Sequence, residues 1–281
     1  MIKVNNDLVH LRCPLCNSSE IKIAGVLKYS GDLIFSTHEI ILINKPELWK
    51  CRSCKSGFTQ YAIDKQTAEE LYSSGEGSKR WSSTVLDKDD TVIDYFGKLL
   101  KYEMNVLDIG CNTGEFLDFA KDKGCHTYGV ELSDDSIRIL EKKNHIAKNN
   151  MDFGDIKFDL VVAFDLIEHL YDVNEFLRQS KSLLKPQGIL VILTGNINSI
   201  SSLVSRNNWW YVNYPEHVVF PSRNFFKVHS SFVHIDSLEC YASKIRSEEG
   251  RIGLKNIRDV LSNNYNGIPS FGPDHLLISL S

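Results

Sequence analysis

No apolar run in this chain approaches the roughly 18 residues that a membrane-crossing helix needs. Basic charge is not in excess either. The 32 Lys and Arg stand against 36 Asp and Glu, a formal net charge of −4, so there is no general pull toward nucleic acid or acidic lipid. The opening Met1-Ile2-Lys3-Val4-Asn5-Asn6-Asp7 lacks the apolar core of a secretory leader, and a cytoplasmic protein with reduced thiols is expected. Internal repeats and low-complexity tracts are absent. So is the Gly-Lys-Ser/Thr of a Walker A loop, and Glu115 stands where a dinucleotide fingerprint would need its third glycine. What is present is an ordinary globular composition, 42% hydrophobic and 24% charged. The 281 residues accommodate a small N-terminal module and one α/β domain.

The most informative segment lies in mid-chain. Val106 to Ile109 is an apolar run carrying one acid, Asp108, and reads as a buried parallel strand. It enters the turn Gly110-Cys111-Asn112-Thr113-Gly114, after which Glu115 to Lys121 has helical spacing. Strand, glycine turn and helix make the first corner of a nucleotide-binding α/β sheet. Nothing here provides for a pyrophosphate, and the turn suits close approach of backbone to a small zwitterion. Asn112 fits because Asn enters left-handed backbone angles more readily than most non-glycine residues. Cys125 to Glu131 reads as a second strand ending in an acid. Glu131 is placed to accept from the ribose hydroxyls of an adenosine, a solvated strand-end charge being the alternative.

Further elements follow in order. Phe158 to Asp165 is a nearly continuous apolar strand, and Leu183 to Ile192 reads as helix end, Pro-Gly turn and fifth strand. Asp90 to Lys101, Ser136 to Asn144 and Glu175 to Leu184 have one apolar face each, as helices do. Val233 to Tyr241 and His275 to Leu280 alternate like strands, and the charged stretch Ser247 to Asn266 reads as exposed helix and loop.

The turn resembles motif I of the class I S-adenosylmethionine-dependent methyltransferases, with Asn112 in place of the middle glycine. Phe158 to Leu170, ending Glu168-His169-Leu170, resembles the FDxVxxxxVxEH segment of small-molecule methyltransferases. Leu183 to Gly188 resembles their LLKPGG block, with Gln187 for the first glycine. The resemblance runs from about residue 90 to residue 281. It implies an α/β fold: a Rossmann-like seven-stranded sheet, parallel with an antiparallel last strand. The implied cofactor is S-adenosylmethionine, held by Asp108, Gly110, Cys111, Asn112, Gly114, Glu131, Leu132 and Asp165.

A second signal lies near the N-terminus. Cys13-Pro14-Leu15-Cys16 and Cys51-Arg52-Ser53-Cys54 are two C-x-x-C pairs, which present four thiolates to a tetrahedral Zn²⁺. Disulfides are the rival, and the absence of a leader argues against them. With Cys13, Cys16, Cys51 and Cys54 all bound, the site is closed and therefore structural. Apolar or alternating stretches at Ile21 to Leu27, Leu33 to Phe35 and Ile40 to Ile43 suit a small sheet between the pairs. The expected organisation is a zinc-ribbon module over 1–62, a linker or lid over 63–90, in which Tyr72 and Trp81 either pack over the cofactor or simply anchor a helix, and a methyltransferase domain over 91–281. Cys111, Cys125 and Cys240 read as small buried apolar residues.

Acceptor chemistry is expected beyond the fifth strand, since open α/β sheets bind ligands outside the strands' carboxyl ends. Asn207 to Phe220 is dense in aromatic and hydrogen-bonding side chains, which suit a polyhydroxylated ligand. Tyr214-Pro215-Glu216-His217 resembles the Y-x-E-H segment of zinc-containing sugar C-methyltransferases, although the further C-terminal domain of those enzymes is not expected here. His217 is the first candidate for a general base and His169 the second, against structural readings in which His217 holds the aromatic loop and His169 packs the Glu168 region on the sheet; Tyr214 and Glu216 orient the base or grip the acceptor. The resulting expectation is methyl transfer to a hydroxyl or carbon of a sugar, nucleotide-sugar or sugar-derived small molecule, in surface-glycan or secondary-metabolite assembly. Two other readings stand beside it. One is methylation of RNA or protein, drawing on Lys50, Arg52 and Lys55, against which the negative charge and a missing Asn/Asp-Pro-Pro-Tyr signature both count. The other is a non-catalytic scaffold that binds S-adenosylmethionine.

Overall fold

A computed structural model of the protein describes residues 2–27, 33–75, 88–243 and 272–281. The N-terminal part supplies β1 (Ile2–Val4), β2 (Ile21–Val26), β3 (Leu33–Phe35), β4 (His38–Leu42), β5 (Glu47–Cys51) and β6 (Gly57–Gln60). The apolar stretches between the cysteine pairs become strands as expected, but in two sheets. One has the order β1-β4-β3, and the other contains β6-β5-β2. The stretch expected as a linker opens with a helix, α1 (Lys65–Ser73). Its N-cap is Asp64, whose carboxylate accepts from the Thr67 N–H, and it buries Ala68 and Leu71. Trp81 and the stretch Ser247 to Asn266 lie outside the described residues.

The remaining elements alternate. They are α2 (Asp90–Leu99), β7 (Asn105–Ile109), α3 (Glu115–Asp122), β8 (His126–Val130), α4 (Asp134–Lys142), β9 (Ile146–Lys148), β10 (Phe158–Phe164), α5 (Val173–Leu183), β11 (Leu184–Gly195), α6 (Ile200–Ser205), β12 (Val219–Phe220), α7 (Arg223–His229), β13 (Ile235–Cys240) and β14 (His275–Leu280). The main sheet has the order β13-β14-β11-β10-β7-β8-β9. Its pairings from β11 to β9 are parallel, and β14 runs antiparallel to both β11 and β13. The chain winds outward from β7 through β8 to β9, then crosses back to β10 and β11. A crevice therefore opens at the carboxyl ends of β7 and β10, the topological switch point where such sheets bind ligands.

Both faces of the central strands are apolar, which explains their unbroken hydrophobic runs. Val161 and Ala163 of β10 pack on one side with Leu190 and Ile192 of β11. Leu160 and Val162 pack on the other with Val191, Leu193 and Phe96. One local expectation changes. Lys185-Pro186-Gln187-Gly188 does not form a turn ahead of the fifth strand but lies inside β11. Leu184 pairs with Phe158 and Ile189 with Leu160, so the residues between them bulge out of register. Pro186, which has no N–H to give the ladder, sits in that bulge.

The expected boundary at residue 62 is not a break in packing. β12, which follows the fifth strand by more than twenty residues, pairs antiparallel with β6, Val219 opposite Phe58 and Phe220 opposite Gly57. It completes the sheet β12-β6-β5-β2. Cys13, Cys51, Cys54 and Phe58 share one apolar cluster with Val161 and Ile192 of the main sheet.

Candidate active site

A cavity of about 1120 Å³ occupies the switch point. Its donor half is made by the glycine turn. Gly110 has φ +77° and Asn112 φ +46°, the left-handed conformation expected of that Asn. Asp108, Gly110, Cys111, Asn112, Glu131, Leu132 and Asp165 all line the cavity. Gly114, also expected to touch the cofactor, does not line it. It caps α3 at φ +84°, and a Cβ there would stand 2.4 Å from Leu140 Cδ2, so its role is to let the turn pack on α4.

The Glu131 carboxylate is clamped by backbone. Its Oε1 accepts from the N–H groups of Leu132 (2.7 Å) and Ser133 (3.0 Å), and its Oε2 from Asn112 (2.9 Å). A carboxylate has about four acceptor positions, so one on Oε2 is left for a ligand hydroxyl. Asp108 Oδ1 is buried with no hydrogen-bond partner among the described residues, an arrangement that calls for a donor from a ligand. Burial, with Glu131 and Glu115 adding their charge, pushes the Asp108 carboxyl well above its usual range. Glu115 and Glu131 give this half of the cavity negative charge, as suits a cationic ligand, and such a ligand would also favour ionisation of Asp108.

The acceptor half is assembled from distant segments. Lys65, Glu69 and Tyr72 of α1 form one wall, and Lys88, Asp165 and His169 the floor. Asp165 follows β10 at φ +46°, an uncommon conformation for a non-glycine residue. Its Oδ2 accepts from Lys88 Nζ at 2.7 Å and its Oδ1 from Tyr211 Oη at 3.2 Å, with His275 Nε2 3.6 Å from Oδ1. Burial alone would raise this carboxyl, but Lys88 and His275 offset it and hold Asp165 well below the usual carboxylate range. The converse holds for His275. Burial would lower it, but the nearby Asp165 carboxylate and Asp274, hydrogen-bonded to Nδ1 at 3.0 Å, raise it to about 9.

Behind this floor lies a second buried acid. Glu168 is on a 3₁₀ turn (Ile167–His169) and is fully buried. It accepts from the Tyr211 hydroxyl on Oε1 and from Thr194 Oγ1 at 2.9 Å on Oε2. Burial and the Asp165 charge push it up to about 7. Tyr72 Oη is 2.8 Å from His169 Nδ1, and the His169 ring meets His217 edge-on at 4.6 Å.

The other expected catalytic residues sit behind the cavity lining. His217 is buried, and its Nδ1 donates to the Tyr211 carbonyl at 2.7 Å. Burial, with His169 beside it, pushes its pKa well below 6.5, so the ring is neutral at neutral pH. Tyr214 Oη donates to the Tyr61 carbonyl at 2.6 Å, and Glu216 Oε1 accepts from the Ser36 N–H at 2.7 Å. Both tie the segment after β11 to the N-terminal sheets. Trp209, Tyr211 and Tyr214 are buried, and Trp209 and Trp210 both donate their indole N–H to Asp274 Oδ2. Trp209, Tyr211 and Tyr214 are core, Trp210 is half-buried against them, and none of them lines the cavity. Sequence reasoning passed over Lys88 and His275. A lysine just ahead of α2 and a histidine opening β14 carry no local signal, because only folding sets them against Asp165.

The four cysteines come together in twin knuckles. In each, the first cysteine's N–H donates to the carbonyl five residues on (Cys13 to Ser18, Cys51 to Ser56, both 2.9 Å). The residue after the second cysteine, Asn17 or Lys55, donates back to the first at left-handed φ, +58° and +64°. The sulfurs stand 3.7 Å apart between Cys13 and Cys54 and 3.6 Å between Cys16 and Cys51, all four within 4.8 Å. A tetrahedral cation bonded to sulfur at about 2.3 Å sets an edge of about 3.8 Å, so the donor set fits zinc.

Known proteins bear on the same region. The ubiquinone biosynthesis O-methyltransferase of Bradyrhizobium diazoefficiens is 32% identical over 105 residues, 34% of this chain and 41% of that protein. The enzyme of the same description from Rhodopseudomonas palustris is 32% identical over 107 residues, again 34% and 41%. The match thus spans less than half the length of these relatives. Among solved structures, a SAM-dependent methyltransferase from Archaeoglobus fulgidus is 26% identical, covers 68% of this chain and 91% of its own, and superposes with a TM-score of 0.49. The family model described as a methyltransferase domain matches residues 85–229, more than half of the chain and nearly all of the cavity's central elements. By that match, this chain belongs to the methyltransferase-domain family.

Proposed function

We propose that this protein transfers a methyl group from S-adenosylmethionine to a hydroxyl of a small-molecule acceptor. The observation that carries this reading is the donor half of the cavity, where Glu131 is clamped by three backbone N–H groups beside the buried Asp108 Oδ1, which has no hydrogen-bond partner among the described residues. Glu131 accepts a ribose hydroxyl, and the acidic surroundings favour the sulfonium and ammonium groups. The bound donor supplies an activated methyl: the acceptor oxygen forms a C–O bond as the S–C bond breaks, the electron pair of that bond goes to sulfur, and the hydroxyl proton passes to solvent water. The chain itself supplies orientation and proximity. Lys88 neutralises Asp165 beneath the reacting centre, and His169 presents an imidazole at the cavity wall where the acceptor hydroxyl arrives. His217 holds His169 edge-on from behind, while Tyr214 and Glu216 fasten the loop that carries them.

A sugar acceptor loses its main physical support, because the aromatic run that suggested one is buried core. The name carried by the relatives that match over this segment favours O-methylation. A macromolecular acceptor is likewise disfavoured. Lys50 Nζ is turned inward to the Ile197 carbonyl, and Lys55 Nζ bonds the Arg52 carbonyl of its own knuckle. The Cys13, Cys16, Cys51 and Cys54 site supports one structural Zn²⁺, and 1–62 with its zinc is read as a module fused to the domain that follows.

Calorimetric titration with S-adenosylhomocysteine tests the reading. Binding is expected, and Glu131→Ala should weaken it at least tenfold. Equal affinity in the variant overturns the ribose assignment.

A further inference from the structure

Two acids at the floor of the acceptor half meet on one hydroxyl. Tyr211 Oη stands 3.2 Å from Asp165 Oδ1 and within hydrogen-bond reach of Glu168 Oε1. Asp165 lines the cavity, whereas Tyr211 and Glu168 lie behind it and are buried. The three side chains thus form a line of oxygens running from the cavity into the core. The phenol brings a single proton to two carboxylates. Carboxylates that share a site hold a further proton between them in preference to both being ionised.

The surroundings decide where that proton rests. Asp165 has Lys88 Nζ at 2.7 Å and His275 Nε2 at 3.6 Å. Glu168, by contrast, takes its side-chain hydrogen bonds from the neutral hydroxyls of Tyr211 and Thr194. Against burial, Lys88 and His275 hold Asp165 ionised, while burial and the Asp165 charge push Glu168 up to about 7. The proton therefore belongs to Glu168. The other titratable groups around the pair are Asp274 beside His275, His169 on the same turn as Glu168, His217 ahead of β12 and Cys240 at the end of β13. Burial keeps the His217 ring and the Cys240 thiol neutral at neutral pH.

We infer that Glu168 stores the proton released in methyl transfer, exchanging it with the cavity through Tyr211 and Asp165, and that a cationic donor in the cavity empties this store. The inference rests on the methyltransferase reading. As the acceptor oxygen bonds the methyl carbon and the S–C electron pair goes to sulfur, Asp165 Oδ1 takes the hydroxyl proton. Tyr211 Oη then accepts it while giving its own proton to Glu168 Oε1. Asp165 and Tyr211 end as they began, and Glu168 ends as a neutral acid. The positive charge lost at sulfur reappears as that proton, so the net charge of the closed site is unchanged. Once the products leave, the proton returns along the same oxygens to water.

The probes are S-adenosylmethionine and S-adenosylhomocysteine, which differ only in the methyl group and the charge it places on sulfur. Each is titrated into the full chain by calorimetry in two buffers of different ionisation enthalpy, which reports the protons exchanged on binding. Near pH 7 the wild type should release more protons with S-adenosylmethionine, by a sizeable fraction of one per chain. The ratio of the two affinities should climb in favour of S-adenosylmethionine as pH rises toward 7 and level off above it. Glu168→Gln should abolish the difference in proton release and flatten the ratio. Tyr211→Phe, which keeps the acid but breaks the bridge, should remove most of the difference. Melting temperature and S-adenosylhomocysteine affinity verify that each variant is folded with its donor half intact. Equal proton release with both ligands in the wild type overturns the inference. So does a difference that survives in folded Glu168→Gln, because it then comes from Asp108 or His169. If S-adenosylhomocysteine binds and the difference is missing, only the proton store falls; if it does not bind at all, the methyltransferase reading falls with it.

Discussion

The two halves of the cavity are built differently. The donor half is largely consecutive backbone: one turn between β7 and α3 and one strand end at Glu131, whose carboxylate is held by N–H groups. The acceptor half is side chain throughout, drawn from Tyr72, Lys88, Asp165, Glu168, His169, Tyr211, His217 and His275. A site made of local backbone depends on a few residues and is robust to distant change. One made of interlocked buried charges depends on every element that delivers a member of it.

Perturbing each half separately sharpens that contrast. The largest effect is expected from Cys51→Ser. Metal analysis should fall from about one zinc per chain to none, and denaturant unfolding should lose on the order of 5 kcal/mol, because metal binding contributes directly to folding free energy. The damage should reach the acceptor wall on α1 while S-adenosylhomocysteine affinity, where the chain remains folded, changes less than threefold. Stability unchanged by the substitution would remove the metal from the fold.

Next comes a pH effect confined to the acceptor half. The pKa of His275 is raised in the folded protein to about 9 from 6.5. Its contribution is therefore complete below about pH 6.5 and is lost as pH rises toward 9, a loss on the order of 3 kcal/mol. Unfolding free energy measured across that window should decline, and His275→Gln should flatten the decline. A wild-type profile that rises over this range contradicts the Asp165–His275–Asp274 arrangement. Gly114→Ala, the smallest of these, touches only the donor side. The left-handed φ and the 2.4 Å approach to Leu140 predict a loss of about 2 kcal/mol, read from the midpoint of urea unfolding.

The same division explains what could be read from the sequence. The turn at Gly110 to Gly114, the apolar strands and the paired cysteines are local patterns with local causes, and they fold where the sequence places them. Even Asn112 takes the left-handed angle its side chain permits. The acceptor side is harder to read because aromatic density looks alike whether it meets ligand or core, and the indoles of Trp209 and Trp210 both bond Asp274. Lys88 and His275 were missed because they are solitary in sequence and meaningful only against Asp165. The stretch expected as a linker contains α1 because a polar sequence with an Asp cap and two buried residues, Ala68 and Leu71, is enough for a short docked helix.

The pairing of β12 with β6 bears on how the chain is made. On the ribosome, both cysteine knuckles and strands β2, β5 and β6 emerge long before Val219 and Phe220, the residues that close the edge of their sheet. Until then β6 presents an open ladder of N–H and C=O groups to any neighbouring chain. A metal ion captured early by the four cysteines would hold the knuckles together through that interval, before the edge of their sheet is closed.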